Sequence, residues 1–386
     1  MKKNNVFLMN RLIRSAVTGE KLSEELKTRF TDDALTSLYG LSKYYDLIHI
    51  VDYALIENGV KVPPELAAKF KRQRMVALFR YGKLDFQLQL AIETLEAAKI
   101  PFVLLKGAVI RKYYPEPWMR TSADIDILVG KDDLEAATAA LTEKLGFKSS
   151  WYSGHDVSLY SDDDDVHIEL HHTLSDENIV SKYNDVLSDV SRYIVRQDGK
   201  YEAELTDAMF YFYHIAHAAK HLKNGGCGVR PLLDLWLIDR NMKIDEAEKR
   251  ELLEAGGLTE LASALERLSE VWYGEAEHDD VTEKIEDFIF AGGKYGGLEN
   301  RAKVADENVK KGGAFRKIFK PYDELKFWYP RLNGRKWLLP FYQVKRWCRI
   351  LFGGAMKKNV EARKLKEKVS ALPNDEAAEL LKKLGI

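Results

Sequence analysis

Two aspartates one residue apart, Asp124 and Asp126, open the apolar run Ile127-Leu128-Val129 and follow the polar approach Arg120-Thr121-Ser122-Ala123. In an extended strand alternate side chains share a face, so both carboxylates project one way while Ile125 and Ile127 point into a core. Two like charges this close call for a cation. A hard, oxygen-seeking dication such as Mg2+, with Mn2+ as its substitute, meets the need when substrate phosphates complete the coordination shell. The same alternation in Val166-His167-Ile168-Glu169-Leu170-His171-His172 puts His167, Glu169 and His171 on one face and Ile168 and Leu170 on the other. If this strand lies beside the first, Glu169 becomes a third carboxylate. Such a set can hold two metal ions, one activating an attacking hydroxyl and one neutralising a triphosphate and its leaving pyrophosphate. Upstream, Leu104-Leu105-Lys106-Gly107-Ala108 reads as the end of a buried strand. There Gly107 lets backbone amides approach phosphate at the start of a helix, and Lys106 and Arg120 add charge-assisted contacts to the same phosphates.

These side chains need a scaffold. Residues 1–98 carry apolar positions at helical spacing, as in Leu84, Leu88, Ile92 and Leu95, with Pro63-Pro64 marking a loop. The run from Ile100 to Leu105 predicts a buried strand, followed by a helix over Ala108–Tyr114 that Pro115 and Pro117 stop. Ile125–Val129 predicts the next strand, and Asp132–Leu145 a helix with an acidic first turn, closed by Gly146. Strands are expected over 147–152, 156–160 and 166–170, with Asp162-Asp163-Asp164-Asp165 as a solvated turn rather than a metal site, because consecutive turn residues point in different directions. Ala208–Leu222 predicts an apolar helix, Gly225-Gly226-Cys227-Gly228 a loop and Pro231–Asp239 another helix; Gly292-Gly293, Gly296-Gly297 and Gly312-Gly313 set off the C-terminal segment.

With these pieces in order, the segment from Leu84 to Asp239 resembles the DNA-polymerase-beta-like nucleotidyltransferase superfamily, and within it a bacterial group described as uncharacterised nucleotidyltransferases. The resemblance is carried by Leu104-Leu105-Lys106-Gly107, Tyr114-Pro115-x-Pro117, Arg120, Asp124-Ile125-Asp126-Ile127-Leu128-Val129 and Glu169-Leu170-His171. It continues in His214-x-x-His217-x-x-Lys220-His221, Gly225-Gly226-Cys227-Gly228-x-Arg230-Pro231 and Asp234. The resemblance implies an α+β fold in which a mixed sheet with flanking helices, the polymerase-beta-like palm, is embedded between N-terminal and C-terminal helical regions. It also implies Asp124 and Asp126 as metal ligands and Glu169 as the third carboxylate. One departure stands out: members of the superfamily commonly carry Gly-Ser at the first turn, where the serine touches phosphate, and here Ala108 follows Gly107. Either Lys106 takes over that anchoring or the nucleotide binds differently.

His214, His217 and His221 fall on one helical face with Lys220 alongside. Metal binding by these histidines fits poorly beside a magnesium cluster. A face turned to the nucleotide or acceptor, with Arg230 reaching phosphate and Asp234 orienting a neighbour, and plain interhelical hydrogen bonding are the other two readings.

At 386 residues, with 46% hydrophobic and 31% charged content, the chain has the composition of an ordinary globular protein with more than one core. No apolar run is long enough to span a bilayer, and the lysine-rich start leads into no signal-peptide core, so a cytoplasmic location is expected. Cys227 and Cys348 lie far apart without metal-ligand spacing, which argues against a disulfide framework or zinc knuckle. The formal charge of -1 conceals an acidic body and a basic segment, residues 301–386. Within the latter, Phe341, Val344, Trp347 and Leu351 can share a helical face flanked by Lys345, Arg346 and Arg349. Residues 325–352 thus fit a peripheral contact with an anionic membrane, a grip on RNA, or docking on the rest of the chain.

The expectation is a magnesium-dependent nucleotidyltransferase that moves a nucleoside monophosphate from a nucleoside triphosphate, ATP included, to a hydroxyl-bearing acceptor. Catalysis and metal binding fall to Asp124, Asp126 and Glu169, and the nucleotide to Lys106, Gly107, Arg120 and Arg230. The acceptor pocket falls to His171, His214, His217, Lys220, His221 and Asp234. Four regions follow: helical 1–98, palm 99–205, a helical domain closing the site over 206–300, and the basic aromatic-rich 301–386. The competing expectation is a non-catalytic nucleotide-sensing or partner-binding protein on the same fold, recruited by its basic C-terminal helix. An RNA-modifying enzyme is less favoured because the body is acidic.

Overall fold

Strand β2 (Asp124–Val129) runs through the middle of a mixed seven-stranded sheet, with β1 (Phe102–Leu104) antiparallel on one side and β5 (His167–His171) parallel on the other. The full order is β3-β4-β5-β2-β1-β7-β6, with β3 (Lys148–Tyr152), β4 (Asp156–Tyr160), β6 (Ile194–Arg196) and β7 (Glu202–Leu205). The computed structural model describes residues 2–152, 155–161, 166–176, 179–292, 319–352 apart from 321, 323, 324, 326–328 and 333, and 375–386. The acidic run 162–165 and the glycines at 293, 296, 297, 312 and 313 lie outside the described residues, as does the side chain of Leu351.

Five helices precede the sheet: α1 (Lys2–Thr18), α2 (Glu24–Lys27), α3 (Asp32–Tyr44), α4 (Ile48–Glu57) and α5 (Pro64–Ala97). Proline at the first position of α5 forfeits no hydrogen bond there. With 34 residues, α5 runs about 51 Å at 1.5 Å per residue, long enough to serve two cores. Its first half inserts Phe70 into a core shared with α1 and α4, and its second half places Leu84, Leu88, Ala91 and Leu95 under the sheet.

The two faces of the sheet have opposite chemistry, as the alternation in β2 requires. Ile125, Ile127 and Val129 meet Ile168, Leu170, Val157 and Leu159 on the face covered by α5 and by α7 (Leu134–Leu145). Gly146 closes α7 in the left-handed conformation at φ 72°, where a side chain would be strained. The other face turns Asp124 and Asp126 toward α9 (Asp207–Lys223) and α10 (Arg230–Asn241). Helix α8 (Lys182–Val186) packs on α11 (Glu246–Gly256), and α12 (Thr259–Tyr273) and α13 (Asp280–Gly292) complete the helical layer. Residues of α1, α4, α9, α10 and α12 share one buried apolar cluster, in which α1 packs against α12.

Two details differ from the sequence-based expectation. The helix expected over Ala108–Tyr114 begins at Lys106 as α6 (Lys106–Ile110) and tightens into a 3-10 turn over Arg111–Tyr113. Strands β6 and β7 were not foreseen; at three and four residues they are too short to show an alternation. Cys227 is buried and Cys348 exposed, both as free thiols. No helix among the described residues is long and apolar enough to cross a membrane.

Candidate active site

The parallel register of β2 and β5 sets Asp124 beside His167 and Asp126 beside Glu169. On the far side of β5, antiparallel β4 sets Asp156 beside His171, Ser158 beside Glu169 and Tyr160 beside His167. Because alternate residues of all three strands share a face, one surface of the sheet carries Asp124, Asp126, Asp156, His167, Glu169 and His171. It forms the floor of a cavity of about 650 Å³.

These carboxyl groups are crowded and largely dry. Burial and then the charge of Asp126 push Glu169 up to about 8, and the same two causes raise Asp124. Asp126 behaves in the opposite way. Burial works against its charge, but the Lys106 ammonium, 2.7 Å from Oδ1, and the His171 imidazole, with Nε2 3.0 Å from the same oxygen, hold it well below the usual carboxylate range. Lys106 in turn stays charged: burial opposes the ammonium, and Tyr213, Asp126 and Glu169 outweigh it. The floor therefore holds one carboxylate kept ionised by partners within the chain and two, Asp124 and Glu169, whose charge is disfavoured by burial and by Asp126. Carboxylate oxygens such as these are the donors that a hard dication takes. Two sets of one donor atom per residue lie within 4.8 Å of one another here: Asp124 with His167 and Glu169, and Asp126 with Glu169 and His171; His155, Asp156 and His171 form a third.

The turn after β1 is shaped by close contacts. Lys106 has a left-handed backbone, φ 45°, rare for a residue with a side chain. A Cβ at Gly107 would lie 2.1 Å from Ser122 Oγ and 3.6 Å from Arg120 Nη1, so glycine here makes room for the irregular segment leading into β2. The serine missing after Gly107 thus has a counterpart in Ser122, which lines the cavity from a different segment.

Both arginines expected at phosphate are anchored from behind. Arg120 Nε donates to Asp234 Oδ1 and Oδ2 at 2.8 and 3.0 Å, and Tyr114 OH donates to the same Oδ1 at 2.7 Å. Arg230 Nη2 donates to Asp46 Oδ2 at 2.7 Å and to Thr121 Oγ1 at 3.1 Å, tying the α3–α4 connection to the start of α10. On α9, His214 Nε2 donates to the Pro231 carbonyl at 2.8 Å, the Nε2 atoms of His217 and His221 lie 2.9 Å apart as donor and acceptor, and Lys220 Nζ donates to Asp176 Oδ2 at 3.0 Å. Burial keeps His214 and His217 neutral, and Lys106 adds to the effect on His217.

Every residue assigned to the site from sequence lines this one cavity. Contacts within it differ: His214 and Asp234 hold α9, α10 and Arg120 together, whereas the carboxylates, His217, Lys220 and His221 sit among its polar walls. Sequence reasoning passed over Ser122, His155, Asp156, Asp176 and Tyr213, which also line it. The alternation Asp156, Ser158, Tyr160 is a polar signal in β4, but only the β4–β5 register turns it toward Glu169.

The family model described as uncharacterised nucleotidyltransferase matches residues 34–274, reaching beyond the motif-bearing segment on both sides. No curated protein and no solved structure matches the chain. The match covers more than half of the sequence and includes every side chain from Lys106 to Asp234 that faces the cavity, and on that basis the chain belongs to the family of uncharacterised nucleotidyltransferases.

Proposed function

We propose that this protein transfers a nucleoside monophosphate from a nucleoside triphosphate to a hydroxyl-bearing acceptor on a polymerase-beta-like palm. The observation that carries the reading is the convergence of Asp124, Asp126 and Glu169 on adjoining strands at the floor of one cavity. These three hold Mg2+, or Mn2+ in its place; when bound, the cation neutralises triphosphate charge and makes the acceptor hydroxyl more acidic. The acceptor oxygen attacks the α-phosphorus, the bond to the bridging oxygen breaks, and pyrophosphate leaves with the electron pair. The acceptor proton passes to Glu169.

Positioning and charge dominate such a reaction. Lys106 moves its ammonium from Asp126 to the triphosphate. Arg120 and Arg230 present guanidinium donors to phosphate while Asp234 and Asp46 fix their orientation, since a guanidinium carries five donors and each ion pair uses few of them. His171, His217, Lys220 and His221 wall the acceptor side. Helices α1–α5 and α9–α13 close the palm built on β1–β7. The basic segment supplies a peripheral contact with an anionic surface, a reading supported by exposed Phe341 and Val344 in the helix Leu339–Phe352 and exposed Trp337 in the turn before it.

The test compares the native chain with Asp126→Asn in thermal denaturation with each nucleoside triphosphate plus Mg2+, then in pyrophosphate release with sugars, aminoglycosides, proteins and RNAs. A metal-dependent shift confined to the native chain and turnover with one acceptor class are expected. Stabilisation without pyrophosphate release across the panel would replace the enzyme with a nucleotide sensor.

A further inference from the structure

We infer that His167 donates a ring nitrogen to the cation held by Asp124 and Glu169, making the centre selective for a first-row transition-metal dication over Mg2+. The inference rests on the metal-dependent reading above. Three observations carry it.

The first is placement. Across the parallel β2–β5 pair His167 is the direct neighbour of Asp124, and Glu169 follows on the same face, so one donor atom from each of the three lies within 4.8 Å of the others. The second is rigidity. The imidazole stacks face to face on Tyr160 of β4, ring centres 4.3 Å apart and planes 5° from parallel. A ring clamped in this way meets a ligand with little loss of freedom. The third is an unspent nitrogen. Nδ1 lies 3.9 Å from Glu169 Oε1, longer than a hydrogen bond. Among the described residues Nε2 is buried with no hydrogen-bond partner. A buried polar atom in that state costs free energy and asks for a reason.

His171 makes a useful contrast. Its Nε2 is already engaged 3.0 Å from Asp126 Oδ1, so it orients a carboxylate rather than offering an unused donor. Imidazole is a ligand for first-row transition metals, whereas Mg2+ takes oxygen ligands and keeps its waters. A mixed set of two carboxylates and one imidazole therefore ranks Mn2+ above Mg2+ in a way that three carboxylates do not.

The experiment is pulsed electron paramagnetic resonance on the full chain loaded with MnCl2, together with calorimetric titration by Mn2+ and by Mg2+. The native chain should show nitrogen coupling from one imidazole and tighter binding of Mn2+. In His167→Asn that coupling should vanish, while Mn2+ still binds about tenfold or more weakly and the preference over Mg2+ narrows. Growing the native chain with 15N-histidine should exchange the coupling for that of 15N, which identifies a histidine as its source; if His167→Asn fails to fold, the coupling should persist in His171→Asn, and its loss there would overturn the inference. Bound Mn2+ without nitrogen coupling, or a coupling that survives in folded His167→Asn, would overturn the inference and leave the carboxylate centre standing. Failure of the native chain to bind either ion would remove the metal-dependent reading itself.

Discussion

The ammonium of Lys106 lies 2.7 Å from Oδ1 of Asp126, inside the carboxylate floor. In the fold itself this lysine is thus a counter-ion to the central aspartate. The backbone at Lys106 is left-handed, φ 45°, and such strained conformations persist where surrounding structure enforces them.

Removing that counter-ion should expose the cost of the floor. Lys106→Met leaves the buried Asp126 with His171 as its remaining partner, and a broken buried pair costs about 3–5 kcal/mol. Denaturation without metal should show a loss of this order, and added Mg2+ or Mn2+ should stabilise the variant more than the native chain. A metal-induced shift smaller than the native one would count against a cation site at Asp126.

Asp234 is expected to matter through Arg120 and Tyr114, both of which it holds from α10. Asp234→Asn keeps an acceptor for Tyr114 but removes the charge facing a buried guanidinium, at about 3 kcal/mol by the same reasoning. Nucleotide affinity should fall along with stability as Arg120 loses its fixed orientation. Unchanged affinity in a folded variant would detach Arg120 from phosphate binding.

The tight turn makes a steric prediction. Gly107→Ala should destabilise the chain by about 1–3 kcal/mol, because the new methyl group would lie 2.1 Å from Ser122 Oγ. Ser122→Ala should recover part of the loss in the double variant, so the two changes are non-additive. Simple additivity in urea denaturation would mean that these residues do not meet.

His49 at the start of α4 provides the pH dependence. Its Nε2–H donates to the Met119 carbonyl at 2.8 Å, and burial pushes the imidazole down from 6.5 to about 4. Above pH 6.5 the ring is neutral in native and unfolded chains alike, and its contribution is complete. As pH falls toward 4 the unfolded chain takes up a proton that the native state refuses, so about 3 kcal/mol is lost over that window. Stability measured by urea denaturation from pH 7 to pH 4 should fall less steeply in His49→Gln. Parallel slopes in the two proteins would rule out His49 as a source.

The carboxylate floor was legible in the sequence because strand alternation is local: Asp124-Ile125-Asp126 and His167-Ile168-Glu169 each state which side chains travel together, whatever the strands pair with. The same holds for the helical faces of α5 and α9. Partner choice was not legible. Lys106 meets Asp126 rather than solvent, Arg120 meets Asp234 over 114 residues of separation, and Arg230 meets Asp46 over 184. Asp156 joins the site only because β4 pairs with β5 in one particular register. A side chain's face follows from backbone geometry within a few residues, whereas its ionic partner follows from which distant elements the folded core brings into contact. The sequence by itself determined the acids and the face they share; the tertiary structure decided which of them Lys106 and His171 contact and which burial disfavours as charged groups.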